Sequence, residues 1–265
     1  MQKIRIYKVD AFTDRLFSGN PAAVCILDEW LRDDLLQSIA SENNLAETAF
    51  ILPNGSDYDI RWFTPAVEVD LCGHATLASA FVLFNLLQYP NPVIRFHSTR
   101  SGNLAVEKRD DFLFLDFPTD KLVPIDGELV HTIERCIGLK PLELYRGKTD
   151  FMAIIDSENS LQNLLPDLNE IAKLKARGLI VTAKGENVDF VSRFFAPQSG
   201  IDEDPVTGSA HTSLLPYWSG KLGKRELVAS QLSVRGGQLF CEYKNERCII
   251  GGKALLFLSG EIILD

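Results

Sequence analysis

The chain of 265 residues lacks basic clusters and long apolar runs. Its 27 lysine and arginine residues stand against 36 aspartate and glutamate residues, which gives a formal net charge of −9. Nucleic-acid binders neutralise phosphates with clustered basic side chains, so no nucleic-acid partner is expected. The longest apolar stretch, residues 75–87, is about 13 residues long, well short of the roughly 20 that cross a bilayer. No membrane partner is expected either, and because the N-terminal residues lack the apolar core of a signal peptide, we expect a cytoplasmic location.

Metal-ligand and disulfide patterns are also missing. The five cysteines include no C-x-x-C pair, and the four histidines show no H-E-x-x-H spacing. A disulfide framework and a structural or catalytic metal site are therefore not expected. We expect a protein without metal or cofactor, whose chemistry depends on ordinary side chains and backbone amides.

The chain does contain an internal repeat. The segment RWFTP at residues 61–65 returns as RFFAP at 193–197, which is 132 residues later. RSGNLAVE at 100–107 matches RGGQLFCE at 235–242, which is 135 residues later. Between these markers each copy has a glycine that opens a run of small residues. Markers in the same order at a nearly constant offset indicate a duplicated domain.

The repeat predicts an α+β fold of two pseudo-symmetric domains. Strand and helix patterns alternate in the same order in both halves, and 46% of the residues are apolar, enough to fill two cores. A helix over residues 74–87 is apolar around its whole circumference, so a mixed or antiparallel sheet should roll around it. We divide the chain into 1–118 and 119–265, with a connector at 118–141. The predicted secondary elements comprise helices at 33–41 and 161–175, strands at 48–52 and 179–182, and a second-half helix from 209 onward that Pro216 should kink or end.

Two glycine turns are the first candidate site residues. Gly73 and Gly208 each lie where a helix is predicted to begin, and free N–H groups at a helix start attract anions. If the two halves face each other, both helix starts meet in a cleft and could bind a substrate carboxylate. The alternative is that both glycines only permit tight turns between strand and helix.

Glu47 and His74 are candidates for proton transfer. Glu47 begins an otherwise apolar strand, where a carboxylate loses solvation and becomes suited to general acid–base catalysis. The alternative is a solvated strand-end glutamate. His74 directly follows Gly73, and the positive end of the helix should lower its imidazole pKa and keep the ring neutral.

The remaining candidates are less specific. Asp204, fixed by the following proline, could reach the second helix start as an orienting group or a second acid, or belong to an exposed charged loop. Asn20 either binds substrate or caps a turn. Cys72 could act as a nucleophile or as a base on carbon, but its repeat counterpart is Thr207, so a mechanism with two thiols fails; a buried structural thiol is the alternative.

Several segments resemble the PhzF-like phenazine-biosynthesis isomerase family, in order over nearly the whole chain. They are VDAF at 9–12, GNPAAV at 19–24, ETAF at 47–50, RWFTP at 61–65, DLCGHATLA at 70–78 and EDPVTGSAH at 203–211. The resemblance implies the diaminopimelate-epimerase-like fold, in which each domain rolls a sheet around a central helix. It also implies a metal-free and cofactor-free proton shift, in which a glutamate removes a proton from one carbon and returns it to another.

The resemblance assigns roles residue by residue. Glu47 matches the family's glutamate. Assisting and substrate-binding positions are matched by His74, Asp204 and Ser209, with amides from Gly73 and Gly208. Ala46 stands where phenazine-pathway members tend to have serine, which removes one possible hydrogen bond to the phenazine precursor.

These observations favour an isomerase that moves a proton between carbons of a small carboxylate, with a homodimer plausible for the family. A non-catalytic member that binds a small molecule or a protein is the alternative from another class. A third hypothesis is an amino-acid epimerase that uses Cys72 with a partner other than Thr207.

Overall fold

The computed structural model describes residues 1–264 of the chain. The first ten elements follow the alternation that the sequence predicts. They are β1 Gln2–Ala11, β2 Asn20–Ile26, α1 Asp33–Asn43, β3 Glu47–Asn54, β4 Asp57–Phe63, β5 Glu68–Val69, α2 Gly73–Phe81, β6 Val93–Ser98, β7 Gly102–Arg109 and β8 Phe112–Pro118. A π-helical turn, Val82–Leu86, continues α2 directly.

The second series of elements repeats much of this order. It comprises β9 Val123–Pro124, α3 Glu128–Ile137, β10 Glu143–Arg146, β11 Asp150–Ile154, α4 Glu158–Gln162, α5 Leu168–Ala172, β12 Gly178–Lys184, β13 Phe190–Phe195, the 3-10 turn Pro197–Ser199, α6 His211–Leu222, β14 Glu226–Gln231, β15 Gly237–Lys244, β16 Arg247–Gly252 and β17 Ala254–Leu264. No helix among these is both long and apolar enough to span a membrane.

The elements group into two compact units. The first unit contains Met1–Asp116 and Gly251–Asp265, and the second contains Phe117–Ile250. The first break falls two residues before the expected one at 118. The C-terminal strand differs more, because β17 pairs antiparallel with β1 from Ala11 to Gln2 and so belongs to the first unit instead of the second half. Nothing in the local pattern of β17 indicates its distant partner.

Strand pairing is the same in both units and confirms the duplicated α+β fold. In the first unit β2 and β3 are parallel, β3 and β4 antiparallel, β4 and β6 parallel, and β6 and β7 antiparallel. In the second unit β11 and β12, β12 and β13, β13 and β14, and β14 and β15 follow the same sequence of directions. The repeated segments 61–65 and 193–197 both lie at the ends of matching strands, β4 and β13.

A buried helix lies within each unit. All α2 residues from His74 to Phe81 are buried, and the helix packs against β1, β2, β3, β7 and β17 of its own unit. This confirms the predicted central helix. In the second unit α6 packs against β14 and β15.

Three predicted elements differ from the structure. The helix expected over 161–175 is two short helices, α4 and α5, because Pro166 lies between them and cannot donate a backbone hydrogen bond. Helix α6 continues through Pro216, since the carbonyl of Thr212 that loses its helical donor accepts from the N–H of Asp120 at 3.1 Å. The expected connector at 118–141 instead forms β9 and the amphipathic helix α3, which packs Ile133 and Ile137 into the core of the second unit.

Candidate active site

The start of α2 has the geometry that the glycine turn predicts. Cys72 precedes the helix in an extended conformation and Gly73 is the first helical residue. The carbonyl of Cys72 accepts two bonds from Thr76, from its N–H at 3.1 Å and from its hydroxyl at 2.6 Å. No side chain caps this end of α2. Its first backbone N–H groups, together with the positive end of the helix dipole, therefore favour a bound anion.

His74 lies between three polar side chains of the first unit. Its Nδ1 is 3.2 Å from the amide nitrogen of Asn20 and 3.4 Å from the sulfur of Cys72. Its Nε2 is 3.3 Å from Oε2 of Glu47. The side chains of His74 and Glu47 are only 6% and 13% exposed. The imidazole therefore lies close to both a thiol and a carboxylate inside a largely buried cluster.

Burial keeps the His74 ring neutral. Desolvation lowers its pKa from 6.5 to about 3, so the ring carries one proton at neutral pH. The predicted direction of this shift is confirmed, but its cause is burial instead of the helix dipole. The amide nitrogen of Asn20 can only donate, so Nδ1 accepts and the ring proton lies on Nε2, which faces Glu47.

Local backbone geometry positions Asn20 and Glu47. Gly19 has φ +70°, and a Cβ at this residue would lie 2.2 Å from the carbonyl oxygen of Ala11, so only glycine fits before Asn20. Glu47 is the first residue of β3 and lies opposite Ala22 of the parallel strand β2. The next four residues of β3 are buried, as the apolar strand pattern predicts.

Glu47, Cys72 and His74 form a set of side chains that could hold a metal ion. One ligand atom from each lies within 4.8 Å of the others. However, sulfur and carboxylate oxygen face different nitrogens of the same ring, and a metal ion binds an imidazole through one nitrogen. An ion bound to one ring nitrogen would therefore need the sulfur or the carboxylate on the other side to move towards it.

A second polar cluster surrounds Thr207 in the second unit. Its hydroxyl donates to Asp204 Oδ2 at 2.5 Å and its N–H donates to Gln231 Oε1 at 2.8 Å. The Gln231 amide nitrogen donates to the Asp204 carbonyl at 2.7 Å and to the Thr207 hydroxyl oxygen at 3.1 Å. Asp204 is buried, so it does not belong to an exposed charged loop. Gln231 carries no signal in the sequence because its partners are distant in the chain.

The second glycine turn differs from the prediction. Gly208, Ser209 and Ala210 form a turn, and α6 begins only at His211, whose N–H donates to the Gly208 carbonyl at 3.0 Å. The Ser209 hydroxyl accepts from Arg177 at 2.9 Å. Arg177 in turn forms two hydrogen bonds with the buried carboxylate of Asp150, and nothing in the sequence pattern indicated this pair.

The predicted site residues thus fall into two groups, each described within its own unit. Asn20, Glu47 and His74 meet around the start of α2, next to Gly73. Asp204, Gly208 and Ser209 lie around the turn before α6. Their roles in binding and catalysis stay predictions.

The structure defines a duplicated α+β protein with an epimerase-like fold. The PhzC-PhzF family, described as phenazine biosynthesis-like protein, matches residues 9–260, and the chain belongs to this family. It is 49% identical to an uncharacterized isomerase of Pseudomonas aeruginosa, covering 99% of this chain and 100% of the relative.

Solved structures agree with this assignment. A phenazine biosynthesis protein of the PhzF family from Enterococcus faecalis superposes with a TM-score of 0.94 at 47% identity, covering 99% of this chain and 100% of the other. A predicted epimerase from Pseudomonas aeruginosa has the same fold, with a TM-score of 0.78 at 19% identity over 99% and 100% of the two chains. The names of the curated relatives support an isomerase-type function.

Proposed function

We propose that the protein is an isomerase that moves a proton between carbons of a small carboxylate, with Glu47 as the proton-transferring base and without metal or cofactor. The observation that carries this proposal is the 3.3 Å contact between Glu47 and the neutral, buried ring of His74. A base must be held in place and partly shielded from water, and both conditions are met here.

The His74 ring orients the carboxylate in this proposal. With its proton on Nε2, the ring lies 3.3 Å from Oε2 of Glu47, close enough to restrict the orientation of the carboxylate. Because the ring is neutral, it does not pair Glu47 as a permanent cation would, and the carboxylate keeps its basicity. General acid–base catalysis by one such group contributes about 10²- to 10⁴-fold to the rate.

The start of α2 supplies the binding part of the proposal. Its uncapped N–H groups at Gly73 favour a carboxylate of the substrate, and Asn20 offers an amide next to His74. In the second unit we propose that Asp204 assists, since its carboxylate is held by the Thr207 hydroxyl, and that Ser209 and Gly208 bind substrate.

Solvent exchange tests the role of Glu47. A panel of small unsaturated and 2-hydroxy or 2-amino carboxylates is incubated with the protein in D₂O, and deuterium at carbon is followed by mass spectrometry and proton NMR. We expect enzyme-dependent deuterium incorporation into at least one acid, and a loss of at least about a hundredfold in Glu47→Gln.

Glu42→Gln is the matched control, because Glu42 is an exposed glutamate on α1, outside the cluster. It should leave the exchange rate unchanged. Equal exchange by wild type and Glu47→Gln would contradict the assignment, and so would the absence of exchange from the whole panel.

A further inference from the structure

Cys72 and His74 hold two metal-binding atoms side by side at the start of α2. The sulfur of Cys72 lies 3.4 Å from Nδ1 of His74. Nδ1 carries the lone pair of the ring, since it accepts from the amide nitrogen of Asn20 at 3.2 Å. An imidazole nitrogen in this form and a thiolate sulfur are both preferred ligands of Zn²⁺.

The separation of these two atoms fits a single zinc ion. Zinc binds thiolate sulfur at about 2.3 Å and imidazole nitrogen at about 2.0–2.1 Å, so a tetrahedral angle between the two bonds puts the donor atoms about 3.6 Å apart. The sulfur and Nδ1 are already 3.4 Å apart and need only a small adjustment. The ion would lie between them, where the thiol directs its proton.

Glu47 lies at the other nitrogen of the same ring. Its Oε2 is 3.3 Å from Nε2, the nitrogen that carries the ring proton. Histidines that bind a metal commonly donate their second N–H to a carboxylate, which fixes the ring and increases the basicity of the metal-bound nitrogen. A small turn of the Glu47 carboxylate gives that arrangement here, without Glu47 binding the ion itself.

The charges of this group balance those of a divalent ion. Cys72 and His74 are buried and Glu47 is largely buried, so a cation among them loses most of its hydration and needs countercharges. A Cys72 thiolate and the Glu47 carboxylate supply two negative charges against the two positive charges of Zn²⁺. Asp70 and Leu71, directly before Cys72, are exposed, so the segment that leads to the sulfur lies at the surface.

We propose that Cys72 and His74 form a binding site for Zn²⁺ and other thiophilic divalent ions, with Glu47 as the carboxylate that supports the ring. On binding, the sulfur–hydrogen bond is replaced by a sulfur–zinc bond, the thiol proton passes to solvent, and the Asn20 amide leaves Nδ1. No electrons are transferred. Mg²⁺ prefers oxygen ligands and should not bind here.

The bound ion should act as an inhibitor of the isomerase, and this part of the inference rests on the proposed function. It would lie beside Gly73, at the N–H groups that we propose for the substrate carboxylate. It would also keep Glu47 paired with the His74 ring, so the carboxylate could no longer turn to a substrate carbon.

Cadmium tests the site without a substrate, because Cd²⁺ bound to a thiolate produces an ultraviolet charge-transfer absorption. The chelator-treated protein is titrated with Cd²⁺ at pH 7, and Zn²⁺ or Mg²⁺ is then added in competition. We expect about one thiolate-bound ion per chain, displaced by Zn²⁺ and unaffected by excess Mg²⁺.

Substitutions assign the ligands. Cys72→Ser should abolish the absorption, His74→Gln should weaken Cd²⁺ binding at least as much as Glu47→Gln, and Glu47→Gln should weaken it by about 10- to 100-fold. Cys241→Ser removes another buried thiol, and His131→Gln removes an exposed histidine beside Glu134; neither should change the titration. Circular dichroism of each variant verifies that it is folded.

A cadmium–thiolate absorption that persists in folded Cys72→Ser, or an affinity that is unchanged in both His74→Gln and Glu47→Gln, would overturn the site. The failure of the proposed function is read separately, because cadmium binding is measured without any carboxylate. With an acid that exchanges, saturating Zn²⁺ should slow deuterium incorporation by about a hundredfold. Exchange at the full rate in the zinc-saturated protein would overturn the inhibitory role.

Discussion

At both helix starts the backbone carbonyl before the glycine accepts a hydrogen bond from a side chain, but the side chains around the two starts differ. In the first unit the carbonyl before the glycine, that of Cys72, accepts from the hydroxyl of Thr76 at 2.6 Å. In the second unit the carbonyl of Thr207 accepts from Nδ1 of His211 at 2.9 Å. Each donor lies four residues beyond its carbonyl. Both starts therefore have a side-chain bond to the carbonyl before the glycine, although α2 begins at Gly73 and α6 begins only at His211.

The side chains around the two turns differ in a way that bears on the proposed proton transfer. Around the first turn lie a thiol, a neutral imidazole and a carboxylate, all three of them ionisable groups. Around the second turn the carboxylate of Asp204 is bonded to the Thr207 hydroxyl, and the Gln231 amide fixes the backbone on either side. In the proposed function the first cluster moves protons, and the second holds a carboxylate in one orientation.

The largest expected difference in stability concerns the arginine that begins each repeated segment, RWFTP at 61–65 and RFFAP at 193–197. Arg193 forms two bonds with Glu203 and donates to the carbonyls of Leu161 and Leu164, all within the second unit. Arg193→Met leaves these largely buried acceptors without their cation, so we expect the free energy of unfolding in urea to fall by about 3 kcal/mol.

The matching arginine of the first unit should matter less. Arg61→Met also removes two bonds to Glu68, but Arg100 still pairs with that carboxylate at 2.8 Å. We expect a smaller loss than for Arg193→Met. The exposed pair of Arg32 with Asp34 is the control, and Arg32→Met should stay within about 0.5 kcal/mol of wild type. A larger loss in Arg61→Met than in Arg193→Met would break the comparison.

The two buried histidines should make stability depend on pH. Burial lowers the pKa of His74 to about 3 and that of His211 to about 4, while an unfolded histidine titrates near 6.5. Between these values the unfolded chain binds more protons, so stability is lost as pH falls below about 6.5. Between pH 7 and pH 6 we expect roughly 0.7 kcal/mol from each histidine, measured as the free energy of unfolding in urea.

Substitutions identify which histidine causes the pH dependence of stability. His74→Gln should remove about half of the histidine contribution. His131→Gln, at an exposed histidine beside Glu134, should leave it unchanged. Stability that is constant from pH 7 to pH 6 would show that the rings are not buried in their neutral form.

The smallest expected effect on the free energy of unfolding is at the first turn of α2. Thr76→Val keeps the shape of the side chain but removes its buried bond to the Cys72 carbonyl, which should lower the free energy of unfolding by about 1 kcal/mol. Thr132→Val removes the same kind of bond on the exposed side of α3, to Glu128, and should cost much less. Similar losses in both variants would mean that burial of the first turn adds nothing.

Much of the fold could be predicted because the repeat shows the same strand and helix patterns in both halves of the chain. A helix start seen at Gly73 and again near Gly208, and strand patterns at matching offsets, led to the correct fold class and the buried central helix. Partners distant in the chain could not be predicted: β17 pairs with β1, and Asp120 accommodates Pro216 through the Thr212 carbonyl. Neither contact leaves a periodic signal in the sequence.

The candidate site shows the same division. Residues in short motifs, such as Glu47 and His74, could be singled out from their position beside a strand or helix start. Gln231 and Arg177 could not, because each acts through backbone or side-chain contacts with residues more than twenty positions away. The thiol of Cys72 was visible as a candidate, but its contact with His74 depends on the rotation of an imidazole that no sequence pattern specifies.

The protonation of the two rings is the most direct test of the account. Nitrogen NMR of protein labelled in the histidine ring distinguishes Nδ1–H from Nε2–H and from the doubly protonated ring. We predict opposite neutral tautomers, with the proton of His74 on Nε2, towards Glu47, and that of His211 on Nδ1, towards Thr207, unchanged from pH 5 to pH 8. A His74 ring that becomes doubly protonated near pH 6.5, or that holds its proton on Nδ1 throughout, would contradict the proton-transfer centre described for the first unit.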